Sequence, residues 1–209
     1  LEVGLKEGEE VVVAQNQKSA LDLYRIAAQG GLAEANFNVG AFYEAGNTVD
    51  KDLAKAFGFY QRAAFAGLPQ AQHKVGQYYQ NGAGIGRDLV AGAAWYDKAV
   101  QNGFALSQLM MGAMHEQGAG VAQSATAAAS YYSLAADQGM PLAMIRLASL
   151  NERGVVSGKP DLVKAWVYAQ QAVDASKEAK DAVAYRDALE KAMSPEQKAE
   201  AKKVLEQKK

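Results

Sequence analysis

Apolar residues recur along the chain in two stripes, each at helical spacing. In the first copy, Ala35, Val39 and Phe42 stand at i, i+4 and i+7, as on one face of an amphipathic helix. A second stripe follows a short polar loop, at Leu53, Ala56, Phe59, Tyr60 and Ala63. Each copy therefore predicts a helix, a turn and a second helix.

The same pattern returns along the sequence at a fixed period. Stretches that start at residues 27, 63, 99 and 135 align over nine columns, so the copies are 36 residues apart. In the first copy these columns are Ala27, Ala28, Gly31, Ala35, Val39, Gly40, Phe42, Tyr43 and Gly46. A long period of this kind is typical of repeat arrays, whose units bury their apolar faces against neighbouring units. We predict an all-α fold of helix-turn-helix repeats of about 36 residues each.

Cap residues mark the predicted helix ends. Glycines at 46, 82, 118 and 154 follow the first helices, where a left-handed C-terminal cap would lie. Good N-cap residues precede the second helices, at Asp52, Asp88, Ser124 and Asp161.

These signals divide the chain into four full repeats and two ends, all in one solenoid domain. The repeats are 27–62, 63–98, 99–134 and 135–171, the last lengthened by one residue in the loop "RGVVSGKPD". Residues 1–26 form a lead (1–12) and a partial repeat that matches a second helix and caps the array. Residues 172–209 form a C-terminal helical cap, with one long charged helix over 174–192. Ser194, Pro195 and Gln197 then form a capping box that opens a final helix.

A glycine recurs in the middle of the first helices, at Gly40, Gly76 and Gly112. Glycine there costs about 1 kcal/mol relative to alanine. One interpretation is close helix packing, in which a side chain would clash with a large neighbour such as Phe59 or Trp95. The other is a backbone exposed for a ligand. We favour packing, because the fourth copy has an alanine in this column and a methyl group is tolerable at a tight crossing.

With these columns in place, the chain resembles the Sel1-like repeat family, relatives of the tetratricopeptide repeats, over residues 16–176. The resemblance is carried by the core Gly-x-x-x-Ala-x-x-x-(Leu/Val)-Gly-x-x-Tyr-x-x-Gly, by "WYDKAVQNG" at 95–103 and by "MSPEQKAEAKKVL" at 193–205. It implies an α-α superhelix, a right-handed solenoid with a concave face that serves as an adaptor in protein complexes.

Charge and composition exclude several functions. The net charge of −1 argues against nucleic-acid binding, and no apolar run approaches the roughly 18 residues of a membrane span. There is no cysteine. The two histidines, His73 and His115, stand in columns that elsewhere hold core or partly buried residues, and no catalytic motif is present. We therefore predict no enzyme, no catalytic residue, no metal site and no cofactor.

The variable columns of the first helices are the candidate binding site for a protein or peptide. The first column holds Asn38, Lys74, Met110 and Arg146, and the second holds Ala41, Gln77, Ala113 and Ser149. A peptide with an apolar side chain near Met110 and an acidic group near Lys74 or Arg146 would fit. These positions also fit ordinary solvated residues of a repeat.

An alternative function is the binding of cell-envelope glycans or peptidoglycan fragments, suggested by the many aromatic residues. It requires exposed tryptophans, whereas the helical spacing places the aromatic columns in the core between repeats. The chain begins at Leu1, and we expect a bacterial protein that is exported or periplasmic, with its signal peptide removed. We expect a monomer, although the sequence does not fix the oligomeric state.

Overall fold

Helices dominate the residues that this computed structural model describes, which are 7–176 and 180–207. Those residues form eleven helices and no strand. The helices are α1 Glu7–Gln29, α2 Ala33–Ala45, α3 Leu53–Phe65, α4 Pro69–Asn81, α5 Leu89–Gln101, α6 Ala105–Gln117, α7 Ala125–Asp137, α8 Pro141–Glu152, α9 Leu162–Ala175, α10 Lys180–Ala192 and α11 Pro195–Glu206. The prediction of an all-α chain of repeated helix-turn-helix units is confirmed.

The predicted caps lie at the starts of the second helices and at the ends of the first helices. Each N-cap side chain accepts a hydrogen bond from the amide three residues on, at 2.8–3.1 Å; the caps are Asp52, Asp88, Ser124 and Asp161. Gly46 and Gly82 close α2 and α4 in the left-handed conformation, at φ of +75° and +69°. The last cap differs, because α8 ends at Glu152 with Arg153 as its C-cap and Gly154 lies one residue further on. The capping box of Ser194 and Gln197 opens α11.

The chain divides into two compact units, Leu1–Phe104 (unit 1) and Ala105–Lys209 (unit 2). In unit 1, consecutive helices pack on each other from α1 through to α5. In unit 2, consecutive helices do so from α6 through to α10, and α11 packs on α9. We call α2, α4, α6 and α8 the first helices and α3, α5, α7 and α9 the second helices of the repeats. Helix α1 corresponds to a second helix.

The recurrent glycines lie against tyrosines of the second helices. A Cβ atom on Gly40, Gly76 or Gly112 would lie 2.9, 2.7 or 2.5 Å from a ring carbon of Tyr60, Tyr96 or Tyr132, respectively. All three tyrosines are fully buried. The packing interpretation is therefore confirmed, but the predicted neighbour was wrong by one residue. Successive helix residues point about 100° apart, so Phe59 instead stacks on Tyr43, with 5.7 Å between ring centroids.

The fourth repeat packs its helices with a different pair of residues. Ala148 takes the glycine column and Ala169 the tyrosine column. Both alanines are fully buried and belong to the same apolar cluster, together with Trp166 and Leu189. A methyl on the first helix is accommodated because the facing ring is absent.

Two expectations about the ends are wrong. Residues 7–12 were expected to be part of a lead, but α1 begins at Glu7, and no glycine or proline between residues 9 and 29 interrupts it; residues 1–6 lie outside the described part. The long helix expected over 174–192 is broken, since α9 ends at Ala175, Ser176 is extended and α10 begins at Lys180. Residues 177–179 are not described. The break allows Ala182 and Leu189 of α10 to be buried in the core of unit 2, which one straight helix would prevent.

Candidate functional site

The six predicted contact residues are divided between the two units. Asn38 on α2 and Lys74 and Gln77 on α4 are partly buried residues of unit 1. Unit 2 holds Met110 on α6 and Ser149 on α8, both partly buried, and Arg146 on α8, which is exposed. The structure thus places these residues on the first helices, as the sequence predicts, with the two basic members in separate units.

In unit 1 the charge of Lys74 is paired within the protein. Its Nζ atom lies 3.1 and 3.0 Å from the two carboxylate oxygens of Glu44 at the end of α2. The hydroxyl of Tyr60 donates to the same carboxylate at 2.7 Å. The Lys74 ammonium also lies 5.7 Å from the centroid of the Tyr60 ring. Glu44 therefore joins α2, α3 and α4 through one carboxylate.

The pKa of Glu44 reflects this setting. Partial burial raises the pKa, but the hydrogen bonds from Tyr60 and Lys74 and the positive charge of Lys74 outweigh burial and lower it. The pKa of Tyr60 is raised by burial and by its bond to the charged Glu44. Tyr60 is thus a neutral donor and Glu44 an ionised acceptor at neutral pH.

In unit 2 the corresponding carboxylate has another basic partner. Glu116 accepts from the Tyr132 hydroxyl at 2.9 Å and from Nη2 of Arg153 at 2.6 Å. Arg153 is the C-cap of α8 and stands in a different position from Lys74. Arg146, which occupies the Lys74 column, forms no ion pair among the described residues of its unit. Arg146 is exposed on α8; burial raises the pKa of Tyr132, and the positive charge of Arg146 opposes that rise.

The carboxylates belong to a column that sequence reasoning missed. A hydrogen-bond acceptor stands in the last turn of each first helix at 36-residue spacing, at Glu44, Gln80, Glu116 and Glu152. The first three each accept a hydrogen bond from the buried tyrosine 16 residues later. The sequence could have indicated these hydrogen bonds, because the acceptor and the tyrosine recur together at a constant separation of 16 residues.

The fourth acceptor takes its hydrogen bond from the C-terminal cap. Ala169 stands where the other repeats have the buried tyrosine, so the second helix offers no hydroxyl. Tyr185 of α10 donates to Glu152 at 2.6 Å instead. Burial and the Glu152 charge raise the pKa of Tyr185, and the neighbouring Ser149 hydroxyl opposes the rise. The cap therefore completes the last repeat and places Tyr185 beside a predicted contact residue.

Helices α8 and α10 enclose a groove of about 740 Å³ in unit 2. Its lining residues are Pro141, Leu142 and Ile145 from α8 and Lys180, Asp181, Ala182 and Tyr185 from α10. Leu142 is 51% exposed although it is apolar. Arg146 and Ser149 follow Leu142 at i+4 and i+7, so all three share one stripe of α8. Two predicted contact residues thus share a stripe of α8 with a lining residue of this groove, which the sequence did not reveal.

The two histidines lie among aromatic rings. His73 is 6% exposed, and its ring centroid lies 5.2 Å from those of both Tyr96 and Phe104. Burial, and then the nearby charge of Lys74, lower its pKa to about 4. His115 stacks on Tyr131 at 5.4 Å, and its Nδ1 lies 3.0 Å from the carbonyl oxygen of Ala122. Within the described ranges, no three potential metal ligands cluster together.

The tryptophans do not form a sugar-binding surface. Trp95 is 9% exposed and Trp166 is 6% exposed. Lys98 covers the Trp95 ring, with its Nζ 3.9 Å from the centroid, and Phe65 packs against the same ring edge-on. The exposed tryptophans that glycan binding requires are therefore absent from both units, since these two are the chain's only tryptophans.

Comparisons with known proteins agree with this architecture. The sequence profile of the Sel1 repeat matches residues 2–32, 33–67, 69–104, 105–140 and 141–177, which is most of the chain. No helix in the described part is both long and apolar enough to cross a membrane. No curated protein matches the chain.

Two solved bacterial structures have a similar fold. A Sel1 repeat protein from Oxalobacter formigenes is 24% identical, with a TM-score of 0.68 over 78% of this chain and 69% of its own. The protein c5321, a protective antigen of uropathogenic Escherichia coli with an SLR fold, is 24% identical, with a TM-score of 0.71 over 88% of this chain. The match covers 44% of the antigen's length. At this identity the likenesses show the fold alone.

Proposed function

Because the chain belongs to the Sel1 repeat family, whose members generally mediate protein–protein interactions, we propose that it is an adaptor that binds a peptide or a partner protein on its first helices. This surface is the one that the sequence predicts to be concave. The family is typically a non-catalytic scaffold, and the proposed role involves no reaction.

One observation carries the proposal, namely the exposed apolar groove bordered by predicted contact residues in unit 2. Pockets that bind ligands combine an apolar lining with a few placed polar groups. Leu142 and Ile145 supply the apolar lining, and Arg146 and Ser149 stand beside it on the same helix. In unit 1, Asn38 and Gln77 offer uncharged polar side chains that are partly exposed on α2 and α4.

A combined substitution tests this surface. We expect Lys74→Gln, Met110→Ser and Arg146→Gln together to abolish capture of the partners that the wild-type protein retains from an extract of the native organism. Quantitative mass spectrometry of the captured proteins measures the loss, and circular dichroism checks that helical content is unchanged.

The control variant makes equivalent chemical changes elsewhere. Lys191→Gln, Leu134→Ser and Lys202→Gln also remove two positive charges and one apolar side chain, at exposed sites on α7, α10 and α11. The control should retain the partners. Capture that is equal for both variants would show that the first helices are not the binding surface.

The alternative function, binding of envelope glycans or peptidoglycan fragments, has less support. The aromatic content suggests it, but the two tryptophans are buried and Tyr60, Tyr96 and Tyr132 are fully buried.

A further inference from the structure

We infer that the groove between α8 and α10 binds a partner segment in which an apolar side chain lies next to a carboxylate, and that Arg146 pairs with this carboxylate. The inference rests on the proposed function and adds the chemistry of the partner.

The groove supplies the apolar contact. Its volume of about 740 Å³ is within the range of about 300–1,000 Å³ typical of ligand pockets. Pro141, Leu142, Ile145 and Ala182 give it apolar walls. Removal of an apolar side chain from water favours binding. An apolar side chain of the partner therefore has both a place and a reason to bind there.

The charges around Arg146 favour a carboxylate beside that apolar side chain. Glu116 is already paired with Arg153, and Glu152 accepts from Tyr185 of the groove lining, so neither carboxylate pairs with Arg146. Asp181, the acidic residue of the lining, follows Lys180 and stands in the first turn of α10, where the helix dipole stabilises it.

The basic groups near the groove differ in their acidic neighbours. Lys180 precedes Asp181 in the lining, so their charges offset each other, whereas Arg146, one helical turn after Leu142 on α8, has no ion-pair partner among the described residues. A guanidinium binds a carboxylate through two parallel hydrogen bonds, which gives both strength and geometry. An exposed guanidinium without an ion-pair partner among the described residues thus favours a carboxylate on the partner segment.

Unit 1 provides an internal comparison. Lys74 stands in the same repeat column as Arg146, but Glu44 holds it at 3.0 Å. An incoming carboxylate would have to displace Glu44 to bind Lys74. Of the two cations that the sequence offers equally for an acidic group, the structure therefore favours Arg146.

A displayed library of random peptides, selected against the whole protein, tests the inference. We expect the enriched peptides to carry Asp or Glu next to Leu, Ile, Met or Phe. Arg146→Gln should weaken the best peptide about tenfold or more, since a hydrogen-bonded charge is lost, and Arg146→Lys should weaken it less. Leu142→Gln should also weaken binding, whereas Lys74→Gln should not. Thermal melts of each variant establish that it is folded.

Several outcomes would overturn the inference. Peptides without acidic residues, or affinities unchanged by Arg146→Gln, would remove the role of Arg146 but leave the adaptor function standing if the pull-down succeeds. A library that yields no peptide would show that the groove takes no short segment. Sedimentation that reveals a dimer dissociated by Leu142→Gln would mean that a second copy of the chain covers the groove.

Discussion

Units 1 and 2 place a cation in the same repeat column but use it differently. In unit 1, Lys74 pairs with Glu44 at 3.0 Å and joins α4 to α2. In unit 2, Arg146 is exposed, because Arg153 pairs with Glu116 at 2.6 Å. A repeat column therefore fixes where a side chain stands, whereas neighbouring residues decide whether its charge stabilises the fold or is open to a partner.

The cores of the two units differ at the last repeat. Both repeats of unit 1 pair a first-helix glycine with a buried tyrosine, and unit 2 does so once before the pair Ala148 and Ala169. Without a tyrosine in its second helix, the last repeat uses Tyr185 of the cap to bond Glu152. The alanine at position 169 thus changes the core of the last repeat. It also leaves Glu152 to bond Tyr185, which ties α10 to α8 beside the groove.

The largest expected effect comes from exchanging these core pairs. Tyr132→Ala should cost about 3–5 kcal/mol, as for other large aromatic truncations. Gly112→Ala alone should cost about 1–3 kcal/mol by overpacking, because the new Cβ would lie 2.5 Å from the Tyr132 ring. Once Tyr132 is alanine, however, Gly112→Ala should become stabilising, since alanine is the better helix former. Urea unfolding followed by circular dichroism measures the cycle, and strictly additive losses would contradict it.

A fall in pH should destabilise unit 1 through protonation of His73. Its pKa is lowered to about 4, below the ordinary 6.5, so the unfolded chain takes up the proton first as the pH falls. The stability due to neutral His73 is complete above about pH 6.5 and is lost between about 6.5 and 4, by up to about 3 kcal/mol. His73→Leu copies Leu109 of unit 2, which occupies the same column. Urea unfolding at pH 7.5 and 4.5 should show a smaller pH effect in this variant; an equal effect would exclude His73.

Loss of a tyrosine–carboxylate hydrogen bond should have an intermediate effect on stability. In unit 1 the bond comes from Tyr60 of a repeat, and in the last repeat of unit 2 it comes from Tyr185 of the cap. Tyr60→Phe and Tyr185→Phe should each cost about 1–2 kcal/mol. Tyr185→Phe should also speed amide hydrogen exchange in α10, because this bond ties the cap to Glu152. Tyr24→Phe, at a partly exposed ring, serves as the control and should change stability by less than about 0.5 kcal/mol. Exchange in α10 that stays unchanged would show that the cap is held by apolar contacts alone.

The smallest expected effects concern the two cations. Lys74→Gln should cost at most about 1 kcal/mol, because the side chains of Lys74 and Glu44 remain about a third exposed to solvent. Arg146→Gln should change stability by less than about 0.5 kcal/mol, because Arg146 is exposed and forms no ion pair with a described residue. Thermal unfolding at low and high salt separates the two, since only the ion pair should weaken with salt. A larger loss for Arg146→Gln would mean that Arg146 supports the fold.

Much of the fold could be read from the sequence because it depends on local rules. The caps at Asp52 and Gly46 and the capping box at Ser194 follow from residue type and position alone. The tight crossing at Gly40 could be anticipated from the cost of a recurrent helix glycine. Its partner could not, because Phe59 and Tyr60 are adjacent and only the helix rotation decides which ring faces the glycine.

The candidate site was less accessible to sequence reasoning. The basic column of Lys74 and Arg146 was visible, but the pairing of Lys74 depends on Glu44, 30 residues earlier. The groove was hidden because it requires α10 to turn back onto unit 2, and residues 174–180 contain no glycine or proline to signal the break. Contacts between distant residues, rather than local pattern, fix both features.

The most direct test of this account compares the affinities of Arg146→Gln and Lys74→Gln for the best acidic peptide, by calorimetry at low and high salt. We expect only Arg146→Gln to lose affinity, by about tenfold or more, and its binding to become less sensitive to salt. Equal losses in the two variants, or a larger loss for Lys74→Gln, would contradict it.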